Sequence, residues 1–442
     1  MKKLALYILL FACTTAGAQK KAPYEMTLAG VKVIVYPSGN EIVEIQTIIK
    51  GGVQNYAPTK AGIENLAFKA LTECGTLKDN KNAFLNKLDA VSAQIGGWAG
   101  RDFAGVNMNC IKEDLETVWP LYVDALTIPK FDAKEFARIK NDMVTSIKAD
   151  ESNPDNALFT LARQTAFSGK TASVNPKGSI KTLAPLTAAE TKAYYHSIFN
   201  KGRMFIVVVA DLEREALEPM LNQLLSKVRA GKAYEPKKES FKPVANSFKA
   251  EQKDNATNYV AGLMSAPLPG TPDYTAYSLA MSIFYNKHFV EIRSKKGLSY
   301  APGVYNMSGL TPFSALYVTT TEPNKYIAAA RALIDTIKLK GFTTEELKGT
   351  KAYSVSNMYY DQETNSALAA SLAHNEVLHA NWRKAITAKE DISKITVDDL
   401  NRVFKQYINN IMWVYQGDPK KADPKMFTQK ETPKAPLEKK TF

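Results

Sequence analysis

The stretch LTAAETKAYYHSIFNKGRMFIVVV, residues 186–209, decides the fold of this chain because a similar stretch, ITVDDLNRVFKQYINNIMWVY, returns at residues 395–415. Each copy begins with a helix-start pattern, in which Thr187 or Thr396 is followed three residues later by a carboxylate. Each copy ends in an apolar run typical of a buried strand. Three pairs of residues share one offset of 209 positions: Thr187 and Thr396, Tyr195 and Phe404, and Met204 and Trp413. This constant offset predicts duplication of a whole domain.

The sequence between the two copies predicts strands mixed with helices in both halves. Residues 26–36 and 41–50 alternate around the turn Pro37–Gly39 and predict a β-hairpin, and a further strand is expected at about 99–110. Helical patterns cover 61–74, 80–92, 112–126, 132–149 and 273–284, and second-half strands are expected at 259–264 and 315–321. We therefore expect an α+β fold of two homologous mixed-sheet and helix domains, arranged as a clam.

The expected boundaries follow from composition. We predict a signal peptide at 1–18, domains at 24–226 and 251–420, a basic linker at 227–250 and a basic tail at 421–442. The formal net charge of +13 is concentrated in the linker and the tail, where Lys alternates with Pro, Ala and Glu. Such Lys-rich runs are typical of solvated linkers, so we expect no nucleic-acid partner.

The first 18 residues have the pattern of a secretory signal. Two lysines precede the apolar run Leu4–Ala12, and Ala16–Ala18 supplies a small-x-small cleavage site. The apolar run is too short to span a membrane. Lipid anchoring at Cys13 is the alternative, although bulky Phe11 stands where such sites prefer a small residue. Both interpretations predict an exported, periplasmic protein that does not span the membrane.

Two cysteines, Cys74 and Cys110, remain after removal of the signal. Each ends an apolar pattern, which favours buried free thiols. Pairing between them stays open because an oxidising compartment permits a disulfide.

The helix predicted at 61–74 carries the residues that bear on catalysis. Its apolar positions recur at helical spacing and are expected to face the core: Ile63, Leu66, Ala67, Ala70, Leu71 and Cys74. Asn65, Phe68 and Lys69 stand at i, i+3 and i+4, so Asn65 and Lys69 share a helix face. Glu64 and Glu73 are isolated carboxylates, which we expect at the surface.

The sequence motif Gly62-Ile63-Glu64-Asn65-Leu66, followed by Gly75-Thr76 at the end of the helix, resembles the insulinase or pitrilysin family of zinc peptidases, in its bacterial two-subunit branch. In active members this helix carries His-x-x-Glu-His, whose His residues bind zinc and whose Glu acts as base on the metal-bound water. The resemblance places Asn65 and Lys69 at the His positions and Phe68 at the Glu position. One extra residue before Gly75 separates this chain from the usual pattern.

The family's third zinc ligand is a Glu on a later helix, and Ile147 best matches it here. A shift of one residue gives Ser146 or Lys148. A catalytic zinc site needs three ligands from His, Glu, Asp or Cys and one open water position. Phe has no lone pair to offer and a protonated Lys repels a cation. The resemblance therefore implies a degenerate metal site with no metal in this chain, and zinc in a partner subunit.

The histidines do not suggest another zinc site. His374 and His379 stand five residues apart, which turns their side chains about 140° from each other on a helix, whereas ligation needs i and i+4. His196 and His288 lack acidic or His neighbours at ligand spacing.

The second half keeps a different signature, Arg293-Ser-Lys-Lys-Gly297-Leu-Ser-Tyr300. In the family, an Arg and a Tyr seven residues apart close over the substrate. The Tyr hydroxyl bonds the scissile carbonyl as negative charge develops on its oxygen, and the Arg holds the substrate backbone. The resemblance implies these catalytic roles for Arg293 and Tyr300, in trans. The alternative is a helix exit in which Gly297 is the cap and Tyr300 opens the next strand.

A glycine-rich segment matches the strand edge that binds extended peptides in the family. It comprises Gly97, Trp98, Ala99 and Gly100, and glycine there would let a peptide backbone approach for strand addition. A glycine-rich turn into an ordinary strand is an equal alternative.

The resulting hypothesis is a heterodimer subunit. Its domain at 24–226 resembles a peptidase domain without zinc ligands, and its domain at 251–420 carries the Arg and Tyr motif. Together with a zinc-bearing homologous subunit, it would cut oligopeptides. The alternative is a peptide-binding or scaffolding component of a cell-envelope complex with no role in proteolysis. A third hypothesis is an autonomous peptidase with an unrecognised site.

Overall fold

The computed structural model describes residues 22–429. The predicted signal peptide and residues 430–442 of the predicted tail lie outside the described residues. Across 22–429, none of the helices combines the length and apolar composition that crossing a membrane requires.

Two mixed sheets form the framework of the protein. The first-half strands are β1 (Tyr24–Leu28), β2 (Val31–Tyr36), β3 (Ile42–Lys50), β4 (Gln94–Ala99), β5 (Phe103–Ile111) and β6 (Met204–Val209). The second-half strands are β7 (Ser247–Gln252), β8 (Asn258–Ser265), β9 (Gly303–Met307), β10 (Phe313–Thr320) and β11 (Met412–Gly417). The sheet orders are β1-β2-β6-β3-β5-β4 and β7-β11-β8-β10-β9. Apart from β1, the two orders correspond strand by strand, so the predicted α+β fold with two mixed sheets is confirmed.

Helices cover the faces of both sheets. Those of the first half are α1 (Ile63–Glu73), α2 (Lys81–Asp89), α3 (Leu115–Thr127), α4 (Ala133–Ser152), α5 (Pro154–Ala166), α6 (Ile180–Leu183), α7 (Ala188–Ile198) and α8 (Arg214–Leu225). Those of the second half are α9 (Asp273–Phe289), α10 (Pro323–Lys340), α11 (Thr344–Tyr360), α12 (Asn365–His379), α13 (Lys384–Lys394), α14 (Val397–Tyr407) and α15 (Pro424–Thr428). The Thr187 and Thr396 hydroxyls accept the capping hydrogen bonds at the starts of α7 and α14, as predicted.

The predicted hairpin of residues 26–36 and 41–50 is wrong. Strand β6 lies between β2 and β3, with Ile206 opposite Val33 in parallel and Val208 opposite Ile45 in antiparallel register. The hairpin is instead β1 with β2. Alternation of apolar residues marks each strand, but it does not distinguish direct pairing from pairing through a shared neighbour.

The segment predicted as a solvated linker packs against both halves. Lys237 and Gln54 exchange hydrogen bonds of 2.9 and 2.8 Å through the Lys237 backbone. The Glu239 N–H donates to the Leu310 carbonyl at 2.8 Å, and Phe241 is buried. The last residues of this segment begin β7, which pairs in parallel with β11.

Strand β6 is apolar throughout because both faces of its sheet are covered. Met204, Ile206 and Val208 face a core built with first-half helices. Phe205, Val207 and Val209 face the opposite way, into a cluster with α12 of the second half. The period of two in a strand thus assigns alternate residues to two separate cores.

The two halves exchange helices. Leu372 and Ala373 of α12 are fully buried on the first sheet. Leu158 and Ala162 of α5 are fully buried on the second sheet, beside Ala315 and its neighbours. Each half therefore completes a core that belongs to the sheet of the other half.

We expect Leu372→Ala and Leu158→Ala each to lower the free energy of unfolding by about 2–5 kcal/mol, because each removes a fully buried side chain from an exchanged core. Since both cores contain residues of both halves, urea unfolding followed by circular dichroism should remain a single transition. Leu339→Ala is the control, as its side chain in α10 is 84% exposed. Unfolding free energies unchanged in both core variants would contradict the exchange.

Candidate functional site

Helices α1 and α4 line a cavity of about 370 Å³ in the first half. Small-molecule sites begin at about this size. The residues around it are Asn65, Lys69, Glu73, Ile139, Asp142, Met143, Ser146 and Lys177. This is the place that the degenerate His-x-x-Glu-His pattern predicts.

Asn65 and Lys69 both reach this cavity, in agreement with their i, i+4 spacing. The Asn65 amide donates to the Ala99 carbonyl at 3.2 Å, which ties α1 to the end of β4. The Lys69 ammonium lies 3.8 Å from the Glu73 carboxylate.

Phe68 and Ile147 do not face the cavity. Phe68 is 1% exposed, and its ring lies edge-on to Tyr195 with the ring centroids 5.9 Å apart. Ile147 is buried in the same core. The neighbouring Ser146 lines the cavity instead, 3.4 Å from the Lys177 ammonium. Of the three candidates for the third-ligand position, Ser146 is thus the one that the helix turns toward Asn65 and Lys69.

Arg138 of α4 forms ion pairs with the two carboxylates that line the cavity, Glu73 and Asp142. Its guanidinium donates to Glu73 at 2.8 Å and to Asp142 at 2.7 Å. Its hydrogen bonds to Glu135 and then Glu73 raise its pKa further above the ordinary range. Both carboxylates near the cavity are therefore already held by a cation.

The cavity does not fit a catalytic zinc ion. Asn65 offers a single amide oxygen as a ligand, while Lys69 and Lys177 bring positive charge. Between residues 22 and 429, no group of three or more His, Cys, Asp and Glu is arranged to hold a metal ion. Zinc ligation needs such a group.

Arg293 and Tyr300 come together at the exit of α9. This helix continues into a π-helical turn at Val290–Lys295, and Gly297 ends it with a φ of +61°. The Gly297 N–H donates to the Arg293 carbonyl at 3.2 Å, so Gly297 is the helix cap. The Arg293 guanidinium lies 4.1 Å from the centroid of the Tyr300 ring. Neither residue lines the α1–α4 cavity.

Strand β4 lies at the edge of the first sheet, as the peptide-binding hypothesis requires. A Cβ at Gly97 would lie 1.9 Å from the Phe68 carbonyl oxygen, so the close approach of α1 already requires glycine there. The Trp98 ring packs edge-on to Phe103 at 5.2 Å. The Gly100 N–H donates to the Phe103 carbonyl at 2.9 Å and closes the turn.

Glu64 is buried, and the expected surface position is wrong. It is 1% exposed and accepts hydrogen bonds from the Asn55 amide at 3.0 Å and from the Tyr194 hydroxyl. Burial raises its pKa to about 7. The signal was present in the sequence, since Glu64 stands at i relative to Ala67, Phe68 and Leu71 at i+3, i+4 and i+7.

The cysteines and His288 are buried. Cys74 and Cys110 are free thiols, as expected. Burial raises the pKa of Cys74 to about 12 and that of Cys110 to about 11. His288 lies 3.1 Å from the Tyr326 hydroxyl, and burial lowers its pKa to about 3. These three residues pack in cores.

Comparisons with known proteins find similarity to inactive members of a peptidase family. The family description "Peptidase M16 inactive domain" matches residues 185–353. The "Non-peptidase homolog YmxG" of Helicobacter pylori is 21% identical over 436 residues, which cover 95% of this chain and 100% of the relative. An "Uncharacterized zinc protease" of Rickettsia felis is 20% identical over 380 residues, which cover 82% of this chain and 90% of the relative.

Solved structures share the fold. The peptidase M16 inactive domain from Pseudomonas fluorescens has a TM-score of 0.81 at 18% identity, over 90% of this chain and 98% of that chain. The periplasmic protease PqqL from Escherichia coli has a TM-score of 0.77 at 15% identity, over 94% of this chain and 49% of PqqL.

The chain has an α+β fold shared with these solved structures, and the positions predicted to match the family's metal site hold Asn65, Phe68, Lys69 and Ile147. Residues 185–353 match the family described as "Peptidase M16 inactive domain", and the predicted resemblance to this peptidase family is confirmed.

The cavity predicts which substitutions would create a metal site. The variant Asn65→His, Lys69→His and Ser146→Glu should bind zinc at one equivalent, because these three positions face one cavity. The matched variant replaces Ile147, instead of Ser146, by Glu. It should unfold more easily and bind less zinc, since that carboxylate would enter the core. Calorimetric titration with zinc checks both, and equal zinc binding by the two variants would contradict the assignment of Ser146.

Glu64 predicts a pH-dependent stability. The folded protein keeps this proton up to about pH 7, whereas the unfolded chain releases it near 4.5, so the contribution is complete below 4.5 and is lost as the pH rises through 7. The loss amounts to roughly 3 kcal/mol. The unfolding free energy of Glu64→Gln minus that of wild type should therefore increase from pH 5 to pH 8, as measured by urea titrations. Glu116→Gln, at an exposed position of α3, is the control. Parallel pH profiles of wild type and Glu64→Gln would contradict this assignment.

Proposed function

We propose that this protein is an exported, periplasmic, non-catalytic subunit of an M16 zinc peptidase. It would complete a peptide-cleaving site on a zinc-bearing homologous partner through Arg293 and Tyr300. The observation that carries the proposal is the stacked pair itself, which stands on a capped helix end while Tyr300 is 78% exposed. The metal chemistry would belong to the partner subunit.

The geometry of the pair suits the stabilisation of a carbonyl oxygen. The Arg293 guanidinium lies between Tyr300 at 4.1 Å and Phe289 at 5.1 Å from the ring centroids. Stacking on rings fixes the guanidinium plane and leaves its edge N–H groups for hydrogen bonds. The Tyr300 hydroxyl would donate to the oxygen on which negative charge develops, and a donor held in place before reaction is the effective kind.

The surroundings of the pair suit a protein partner. Val290 is 45% exposed and Tyr285 is 40% exposed on the same helix as Arg293, so apolar surface lies along the segment that presents the pair. Tyrosine is enriched in the buried centres of protein interfaces. The Helicobacter relative is a non-peptidase homologue, which supports a non-catalytic role, and PqqL is a periplasmic protease, which supports a periplasmic location.

Reconstitution tests the proposal. Mixed with a zinc-bearing M16 homologue from the same organism, this chain should produce hydrolysis of an unstructured oligopeptide that neither chain shows alone. Tyr300→Phe should lower kcat/KM of the mixture by about 100-fold, since it removes one donor to the developing oxyanion. The control is Tyr353→Phe, because Tyr353 of α11 is 61% exposed and lies far along the chain from the motif.

Binding of the two chains is measured separately by analytical ultracentrifugation. A stable complex without stimulated hydrolysis would overturn the role in trans and favour the scaffolding or peptide-binding alternative. Full activity of Tyr300→Phe in a stimulated mixture would assign the stimulation to another surface.

A further inference from the structure

A second cavity, of about 340 Å³, lies beside α5 and shares Lys177 with the α1–α4 cavity. Its basic residues are Arg101, Arg163 and Lys177. Lys177 is paired with Asp150 at 2.6 Å, so the positive charge in excess belongs to the two arginines.

The hydrogen-bonding capacity of Arg163 is poorly used. Its guanidinium is largely buried, yet its two hydrogen bonds within the described residues are both 3.5 Å long, to the Ala172 carbonyl and the Thr311 hydroxyl. A guanidinium carries five N–H donors. Its guanidinium also lies over two aromatic rings, with the Phe313 centroid 4.7 Å away and the Phe167 centroid 5.4 Å away. Two long hydrogen bonds leave most of its five donors without an acceptor among residues 22–429.

Arg101 brings a second guanidinium to the same place. It donates to the Val174 carbonyl at 2.6 Å and, at 2.9 Å, to the Ala172 carbonyl that Arg163 also contacts. Burial and the charge of Arg101 lower the pKa of Arg163 to about 9. The nearby Asp102 carboxylate accepts the Leu310 N–H at 3.2 Å, which uses part of its capacity within the protein.

We propose that this cavity binds the carboxylate of a peptide C-terminus. A planar carboxylate matches the paired donors of a guanidinium, and one negative charge would offset the excess of the two arginines. Asn156, Ser173 and Asn175 in the lining supply hydrogen-bonding groups for peptide amides, and Phe159 supplies an apolar wall.

The position of the cavity favours a peptide. Arg101 follows the edge strand β4 by two residues, so a strand added to β4 could end with its carboxylate at Arg101 and Arg163. This inference rests on the proposed peptide-handling function, and it names a recognition group that is separate from Arg293 and Tyr300.

The test compares one glycine- and alanine-rich, N-terminally labelled heptapeptide as the free acid and as the C-terminal amide, by fluorescence anisotropy with the full chain alone. The free acid should bind at least 10-fold more tightly than the amide. Arg163→Met, which removes the guanidinium but keeps an unbranched side chain, should abolish this difference. Arg229→Met is the control, because Arg229 is exposed and lies outside the cavity.

Equal binding of acid and amide, or no binding of either, would overturn the proposal. Inorganic phosphate that binds without any preference for the free acid would also overturn it, in favour of a phosphate site. If Arg163→Met fails to fold, the comparison of acid and amide on the wild-type protein still decides. Because no partner subunit is present, failure here is distinguishable from failure of the reconstituted peptidase.

Discussion

The exchange of helices between the halves is the contact on which the rest of this structure depends. Each central strand is apolar on both faces, so each sheet needs a helical layer on both sides. The half that contains the sheet supplies only one of these layers. Helix α12 covers the first sheet and α5 covers the second. Separating the halves would expose both outer faces to water, at a cost of about 25 cal/mol for each Å² of apolar surface.

Polar contacts fix the position of each exchanged helix on the sheet of the other half. The Lys32 ammonium and the Glu376 carboxylate meet at 2.7 Å, and the Asp155 carboxylate accepts the Tyr317 hydroxyl. Both pairs join an exchanged helix, or its first turn, to a strand of the other half. Apolar packing alone tolerates sliding, whereas hydrogen bonds of this kind fix one register. The cavity beside α5 lies next to this contact, since Asn156, Phe159 and Arg163 of the exchanged helix line it.

Much of the fold could be predicted from the sequence, because its signals are local. The caps at Thr187 and Thr396 and the helical periods of α1 and α4 depend on neighbouring residues, and the structure has them as expected. The insertion of β6 between β2 and β3 depends on a pairing across more than 150 residues, and no local pattern encodes it. The same limit applies to Arg163, which contacts Ala172 of the first half and Thr311 and Phe313 of the second half.

The position of Phe68 has an evolutionary consequence. Phe68, which the predicted alignment places at the position of the family's catalytic base, is a buried packing residue whose ring lies edge-on to Tyr195. A carboxylate placed there would be desolvated without a partner, so mutations that restore the base would first destabilise the protein. Gly97, pressed against the Phe68 carbonyl, leaves the backbone little room to adjust. A carboxylate at this position would therefore be easier to lose than to regain, because regaining it would pass through a less stable protein.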